Sequence, residues 1–540
     1  MSALSRKKST HMRDIQYPGR SVVMSTGGMV ATSQPMATHA GLSILRSGGN
    51  AIDAAIAASA TLCVTEPQST GVGGDCFFLY HDASSGKLYG LNGSGRAPQR
   101  ATLAEYRRRG YTHMPEHGMH SVTVPGAVDA WQEALERFGT RSLEELLQPA
   151  IGYAEDGYAV SPVVGKVWKQ NEALLAGCDD TRRTLLVDEC APVAGTRHRQ
   201  PNLARSLRAI ARGGRDAFYK GEIARQIVAF SKANDGLLEL EDFAGHTSNW
   251  VEPISTDYRG LRVYEIPPNG QGIVVLMMLN MLENIDVGAM KHLSADHIHI
   301  ITETFRLAIA ERDRFVSDPD FSEIPVAAML SKDFASRQWS RVDRAGALSH
   351  PVTSGLPAHR DTIYLTVVDE QRNAVSFINS LYHPWGSGMV AGETGIMLQN
   401  RGGGFNLIEG HANCIAAGKR PLHTIIPSMV YRDDRLVLSF GVMGGEYQAM
   451  GHSYVLTNWL DFGMDLQEAV DAARFLPAGD VLEVEKSIPP ATRQELERRG
   501  HKIADAEKPF GGGQCIYIDW DNGVLQAASD PRKDGCALGY

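Results

Sequence analysis

Thr362 stands where a threonine could become a nucleophile. A threonine hydroxyl attacks poorly without a nearby base. One remedy is to make the residue the first of a chain, so that its own α-amino group takes the proton. That amine has an unperturbed pKa of about 8, which leaves a usable neutral fraction near pH 7. An internal threonine reaches this state only if the bond before it breaks. The preceding stretch, SHPVTSGLPAHR at 349–360, is rich in Pro, Ser and Gly, has no apolar period and reads as an exposed loop. Such a loop could supply strain and access for an N-to-O acyl shift at Asp361–Thr362. On residue type alone, a threonine at a strand start is more often structural.

A second hydroxyl raises the interest. DTIYLTVVD, from Asp361, has strand composition, and NAVSFINSLY reads as its partner, with Glu370-Gln371-Arg372 between them. A three-residue loop is one of the common hairpin closures. If Asp369 faces Asn373, Thr362 faces Ser380 at the open end of the hairpin.

Other chemistries find less support. The chain has no G-x-S-x-G elbow, no Walker A loop and no H-E-x-x-H. His297 and His299 form an H-x-H pair, but residues two apart on a helix point to different faces. No third ligand is near in sequence, so a helix-surface placement is the preferred reading and no metal site is assigned. Gly71–Gly74 lacks the spacing of a dinucleotide fingerprint and reads as a tight loop.

The elements around these residues alternate helix and strand. Gly48-Gly49 can end one helix, and Asn50 can cap the next. Ile52, Ala55, Ile56, Ser59 and Cys63 then share one helical face, and Glu66-Pro67 marks the stop. Ile298, Ile301, Phe305, Ala308 and Ile309 mark a later amphipathic helix that leads into Ser317-Asp318-Pro319. No internal repeat or low-complexity tract interrupts the chain.

The 540 residues carry a net charge of −9, which argues against a nucleic-acid partner and gives no attraction to acidic membranes. The basic N-terminus has no apolar run behind it, so no secretory signal is read. No segment approaches the roughly eighteen apolar residues of a membrane span. Seven scattered cysteines without a C-x-x-C pair suggest reduced thiols, and the expected location is cytoplasmic.

Several separated blocks, taken together, carry a resemblance. They are the GMVATSQPMATHAGLSILRSGGNAIDAAIAASATLCVTEPQSTGVGGDCF block, VTVPGAVDAW, IPPNGQG, SDPDF, the DTIYLTVVDEQRNAVSFINSLYHPWGSGMVAGETGIMLQNRGGGF stretch, AGKRPLHTIIPSMV and SFGVMGGEYQAMGH. In this order they resemble the γ-glutamyltranspeptidase family from about Gly28 to the C-terminus. The resemblance implies an α+β fold, a four-layer αββα sandwich of the N-terminal-nucleophile hydrolase type. It implies a precursor cut between Asp361 and Thr362. Residues 1–361 would form a large subunit and residues 362–540 a small one, remaining together as one structural domain. It implies acyl transfer through Thr362 to water or an amine, with Ser380 as the hydroxyl that hydrogen-bonds the nucleophile. Gly444 and Gly445 match the glycines whose N–H groups form the oxyanion hole. Arg96, in GSGRAP, lies in the loop that carries the carboxylate-binding arginine. No metal or organic cofactor is implied, since nucleophile, base and oxyanion donors are all protein groups.

The departures bear on substrate. Arg96 directly precedes Ala-Pro, whereas glutathione-handling members place their arginine two residues earlier. The loop Arg401-Gly402-Gly403-Gly404-Phe405 lacks the acidic residue that grips an α-amino group. His423 and Thr424 replace paired serines, and Tyr382 replaces an asparagine. Each alters a contact to a glutamyl head group. The pattern is similar to a divergent branch with γ-glutamyl hydrolase-like proteins, cephalosporin-acylase-like proteins and oxamate amidohydrolase.

The first expectation is therefore an autoprocessed amide hydrolase and acyltransferase. A larger carboxyl-bearing substrate such as a glutaryl amide, or an oxamate-like one, is the alternative. A non-catalytic scaffold is the reading from another class, and the retained Thr362, Ser380 and Gly-Gly set speaks against it. The expected partners are a small-molecule amide and the two subunits of one precursor. A homo-oligomer is allowed by the sequence but not required.

Overall fold

The computed structural model describes Gln16, residues 19–348 and residues 362–540. Asp361 and the stretch 349–360 lie outside the described residues. Two seven-stranded sheets form the centre. The first runs Cys536–Gly539, Met29–Thr32, Ile363–Val368, Ala374–Ser380, Asp75–Asp82, Lys87–Gly93 and Asn249–Val251 across its width. The second runs Val23–Ser25, Val524–Ser529, Gly512–Asp519, Arg435–Met443, Ser428–Arg432, Leu261–Glu265 and Ile254–Tyr258. Every pairing within them is antiparallel. Each sheet draws strands from both sides of Thr362.

The sheets pack face to face, and helices cover both outer faces. Ala51–Thr65 lies on the first sheet, and Gly272–Leu282 with Tyr447–Leu460 lies on the second. The result is the expected αββα sandwich. Buried hydroxyls tie the layers: Thr366 Oγ1 lies 2.7 Å from Ser439 Oγ, and Ser376 Oγ accepts the Ser428 backbone N–H at 3.0 Å. Strands covered on both faces need apolar residues on both, which explains why Ile363–Val368 is buried throughout and apolar but for Thr366, whose hydroxyl is paired with Ser439.

The hairpin closes in the expected register. Val368 faces Ala374 and Ile363 faces Asn379. Asp369 N–H donates to Asn373 O at 3.0 Å, and Arg372 takes the left-handed position of the loop with φ +70°. Asn50 caps Ala51–Thr65 through a capping box with Asp53.

Two expectations change. The helix Ala51–Thr65 is buried on every side, not on one face. Its remaining positions are rich in Ala, with Thr61, Leu62 and Val64 among them, and they pack beneath Pro35–Arg46 and Gln148–Asp156. His297 and His299 are also interior, not on a helix surface. They do diverge: His299 meets His501 Nε2 at 2.8 Å and the Asp343 carbonyl at 2.7 Å, whereas His297 Nδ1 accepts the Leu293 N–H at 3.2 Å. Among the described residues, no helix is long and apolar enough to cross a membrane.

Candidate active site

Thr362 directly precedes the strand Ile363–Val368, and Ser380 ends its partner. Their hydroxyl oxygens are 3.0 Å apart, and both residues are fully buried. Ser380 Oγ also accepts the Tyr382 N–H at 2.9 Å. That bond requires a sharp turn, and Tyr382 has φ +85°, a region that a bulky residue rarely enters. On its other side Ser380 faces Asp75 across the sheet. The tight loop read at Gly71–Gly74 supports this end: a Cβ on Gly74 would lie 2.3 Å from the Ser380 carbonyl oxygen.

Gly444 and Gly445 follow the end of Arg435–Met443, a central strand of the facing sheet, and lead into Tyr447–Leu460. Their φ values are +129° and +59°. The Gly444 carbonyl accepts the Tyr447 N–H at 3.1 Å. Because C=O and N–H oppose each other in a trans peptide, this aims the Gly445 N–H away from the helix. Neither glycine N–H has an acceptor among the described residues. Two free donors at a helix N-terminus suit a developing oxyanion.

A polar frame behind the glycines escaped sequence reasoning. Gln271 Nε2 donates to the carbonyls of Thr424 and Gly445, at 2.8 and 3.0 Å. Gln271 Oε1 accepts from Arg312 Nη1 at 2.8 Å, and Arg312 Nη2 reaches Glu446 Oε1 at 2.9 Å. Arg312 is fully buried. Only the block IPPNGQG hinted at Gln271, and nothing local marked Arg312.

The head-group candidates separate. Thr424 Oγ1 accepts from Arg401 Nη1 at 3.1 Å, and the Arg401 guanidinium lies 4.2 Å over the Tyr382 ring. His423 turns toward Asp75: Nε2 and Asp75 Oδ2 are 3.1 Å apart. Its Nδ1 accepts the Ile425 N–H at 3.3 Å, so Nε2 carries the proton and donates to Asp75. Asp75 Oδ1 holds the N–H groups of Gly95 and Gly126 and the Gln399 amide at 2.8–3.1 Å. Burial raises the Asp75 pKa to about 6, against the pull of Arg401. Burial lowers the Arg401 pKa to about 10, against the pull of Asp75. Arg96 is engaged elsewhere, with its guanidinium 3.5 Å from Asp318, 3.3 Å from Asp320 and on the Gly418 carbonyl at 3.2 Å.

An αββα sandwich with a hydroxyl residue at the start of a central strand is the architecture of N-terminal-nucleophile hydrolases. The match to a solved structure agrees: the crystal structure of cephalosporin acylase from Bacillus halodurans superposes with TM-score 0.90 at 41% identity, covering 98% of this chain and 99% of that one. The gamma-glutamyltranspeptidase family model matches residues 37–540, and the chain belongs to that family. It is 39% identical to the glutathione hydrolase-like YwrD proenzyme of Bacillus subtilis, over 96% of this chain and 99% of that protein. It is 34% identical to the oxamate amidohydrolase proenzyme of Klebsiella pneumoniae, over 96% and 99%.

Proposed function

We propose that this chain is a proenzyme that cuts itself before Thr362 and then hydrolyses amides through an acyl-enzyme on Thr362 Oγ1. The 3.0 Å contact between Thr362 Oγ1 and Ser380 Oγ carries the reading, and the Gly444 and Gly445 N–H groups, at the end of a strand of the other central sheet and without acceptors among the described residues, support it. In maturation Oγ1 attacks the Asp361 carbonyl carbon. The peptide C–N bond breaks, an ester forms, and water releases Asp361 as a carboxylate. The Thr362 amine is then free. Because both sheets mix strands from either side of the cut, residues 1–361 and 362–540 stay together.

In turnover the free amine takes the Oγ1 proton as oxygen attacks the substrate carbonyl. The Gly444 and Gly445 N–H groups hold the oxyanion. The amine passes its proton to the leaving nitrogen as the C–N bond breaks. Water attacks the ester, the acid departs, and Oγ1 recovers its proton. An amine in place of water gives acyl transfer, a side activity in this reading.

Gly402, Gly403 and Gly404 offer no carboxylate to an α-ammonium group. This favours donors that lack one over a γ-glutamyl group and makes a part in glutathione metabolism secondary. The name of the Klebsiella relative includes such an amide, oxamate. A cytoplasmic location is supported by seven free cysteines.

The test is trapping. Enzyme quenched in acid during turnover of an activated anilide should show the acyl mass on the fragment that begins at Thr362. Turnover with acylation at another residue would refute the assignment.

A further inference from the structure

Arg401 is fully buried, yet among the described residues only one of its three nitrogens has a hydrogen-bond partner, Nη1 on Thr424. Nε and Nη2 donate to none of the described residues. A buried guanidinium normally has its donors satisfied, because an unpaired buried charge is costly. Asp75 lends its field but not its oxygens, which are held by Gly95, Gly126, Gln399 and His423. The free edge is the one that grips carboxylates elsewhere in this protein. Arg108 Nε and Nη2 take Glu105 at 2.9 and 2.7 Å, and Arg532 takes Glu485 at 2.6 Å through both.

Its place in the fold connects it to both halves of the site. The Tyr382 ring lies under the guanidinium, and the Tyr382 N–H holds Ser380 Oγ. Thr424, its one partner, is tied through Gln271 to the Gly445 carbonyl. A Cβ on Gly403 would meet only ordinary contacts, 3.7 Å from the Tyr382 ring, so glycine leaves room there. Arg96 already has two aspartates for its charge.

We propose that Arg401 is the anion anchor of the acyl pocket: its Nε/Nη2 edge takes the terminal carboxylate of a short dicarboxylic acid monoamide and so presents the amide carbonyl to Thr362. This rests on the reading of Thr362 as nucleophile and names the substrate class that this site would accept.

The test compares wild type with Arg401→Met, Arg401→Lys and Arg96→Met. Calorimetry measures binding of the dicarboxylates from oxalate to adipate. Turnover is compared on glutaryl p-nitroanilide and neutral butyryl p-nitroanilide. Wild type should bind at least one dicarboxylate. Arg401→Met should weaken that binding ~10²-fold and lose a similar factor in kcat/KM on the anionic anilide only. Arg401→Lys should keep part of both, and Arg96→Met should stay near wild type. Arg401→Met should still cut itself and melt no lower than wild type, since it removes an unpaired buried charge. Absence of dicarboxylate binding in wild type, or equal binding in Arg401→Met, overturns the proposal. So does a lower Tm with equal losses on both anilides, which marks a structural arginine. If wild type stays uncut and inert, the Thr362 reading fails, while the binding comparison still decides the role of Arg401.

Discussion

Thr362 Oγ1 lies 3.0 Å from Ser380 Oγ, and Ser380 Oγ in turn accepts the Tyr382 N–H at 2.9 Å. The second hydroxyl thus has one lone pair committed, which orients its remaining hydrogen-bonding capacity toward the nucleophile. Ser380→Ala removes that contact and the hydrogen bond that the buried Tyr382 N–H makes to Ser380 Oγ, a cost of roughly 1–3 kcal/mol. We expect self-cleavage to slow and kcat to fall by about 10- to 100-fold. Ser380→Thr, which keeps the hydroxyl, should remain within several-fold of wild type. Time courses on gels and steady-state kinetics read both.

Gly444 cannot carry a side chain in place. Its φ is +129°, and a Cβ would stand 2.7 Å from Gly511 Cα. Gly444→Ala must shift backbone against backbone, which displaces the N–H donors. The expected result is a fall in kcat of roughly 10²- to 10³-fold with KM little changed, the signature of a donor used in the transition state. A variant with wild-type kcat would remove Gly444 from the oxyanion hole.

Gln271 fixes the carbonyls of Thr424 and Gly445 together, and Arg312 holds Gln271. Gln271→Met keeps the volume and loses those bonds. We expect kcat to drop about tenfold while the fold persists. Arg312→Met leaves Glu446 and Asp313 without their cation and should destabilise the protein by about 3 kcal/mol. Melting curves beside kinetics separate the two effects.

Much of the nucleophile side was legible in the sequence, because a hairpin is local. Strand composition on either side of Glu370-Gln371-Arg372 was enough to place Thr362 opposite Ser380. The frame around it was not legible for the same physical reason. Asp75 meets Gln399 across 324 positions, and Arg312 meets Glu446 across 134, so no local pattern marks either pair. Ala51–Thr65 misled in another way. Its alternation of large and small residues looks amphipathic, yet small residues are what a helix needs between two neighbours. Arg401 entered the sequence reading only as the first residue of a loop that lacks the acidic residue of glutathione-handling relatives.

Asp75 gives a pH dependence of defined sign. Its folded-state pKa rises from an ordinary 3.8 to about 6 through burial. Between those values the folded protein holds a proton that the unfolded chain has released. Stability from this group is therefore greatest below pH 4 and falls as pH rises toward 6, by on the order of 3 kcal/mol. Asp75→Asn should flatten the trend of Tm between pH 4 and 6. An unchanged slope in that variant would assign the dependence to other groups.

The central claim is that Thr362 becomes a chain terminus. Purified protein run on a denaturing gel, with N-terminal sequencing of the smaller band, tests it most directly. The account predicts two bands of about two-thirds and one-third of the mass, the smaller beginning Thr-Ile-Tyr-Leu, and one uncut band for Thr362→Ala. A wild-type chain that never cuts, or a small fragment that begins at any other residue, would contradict it.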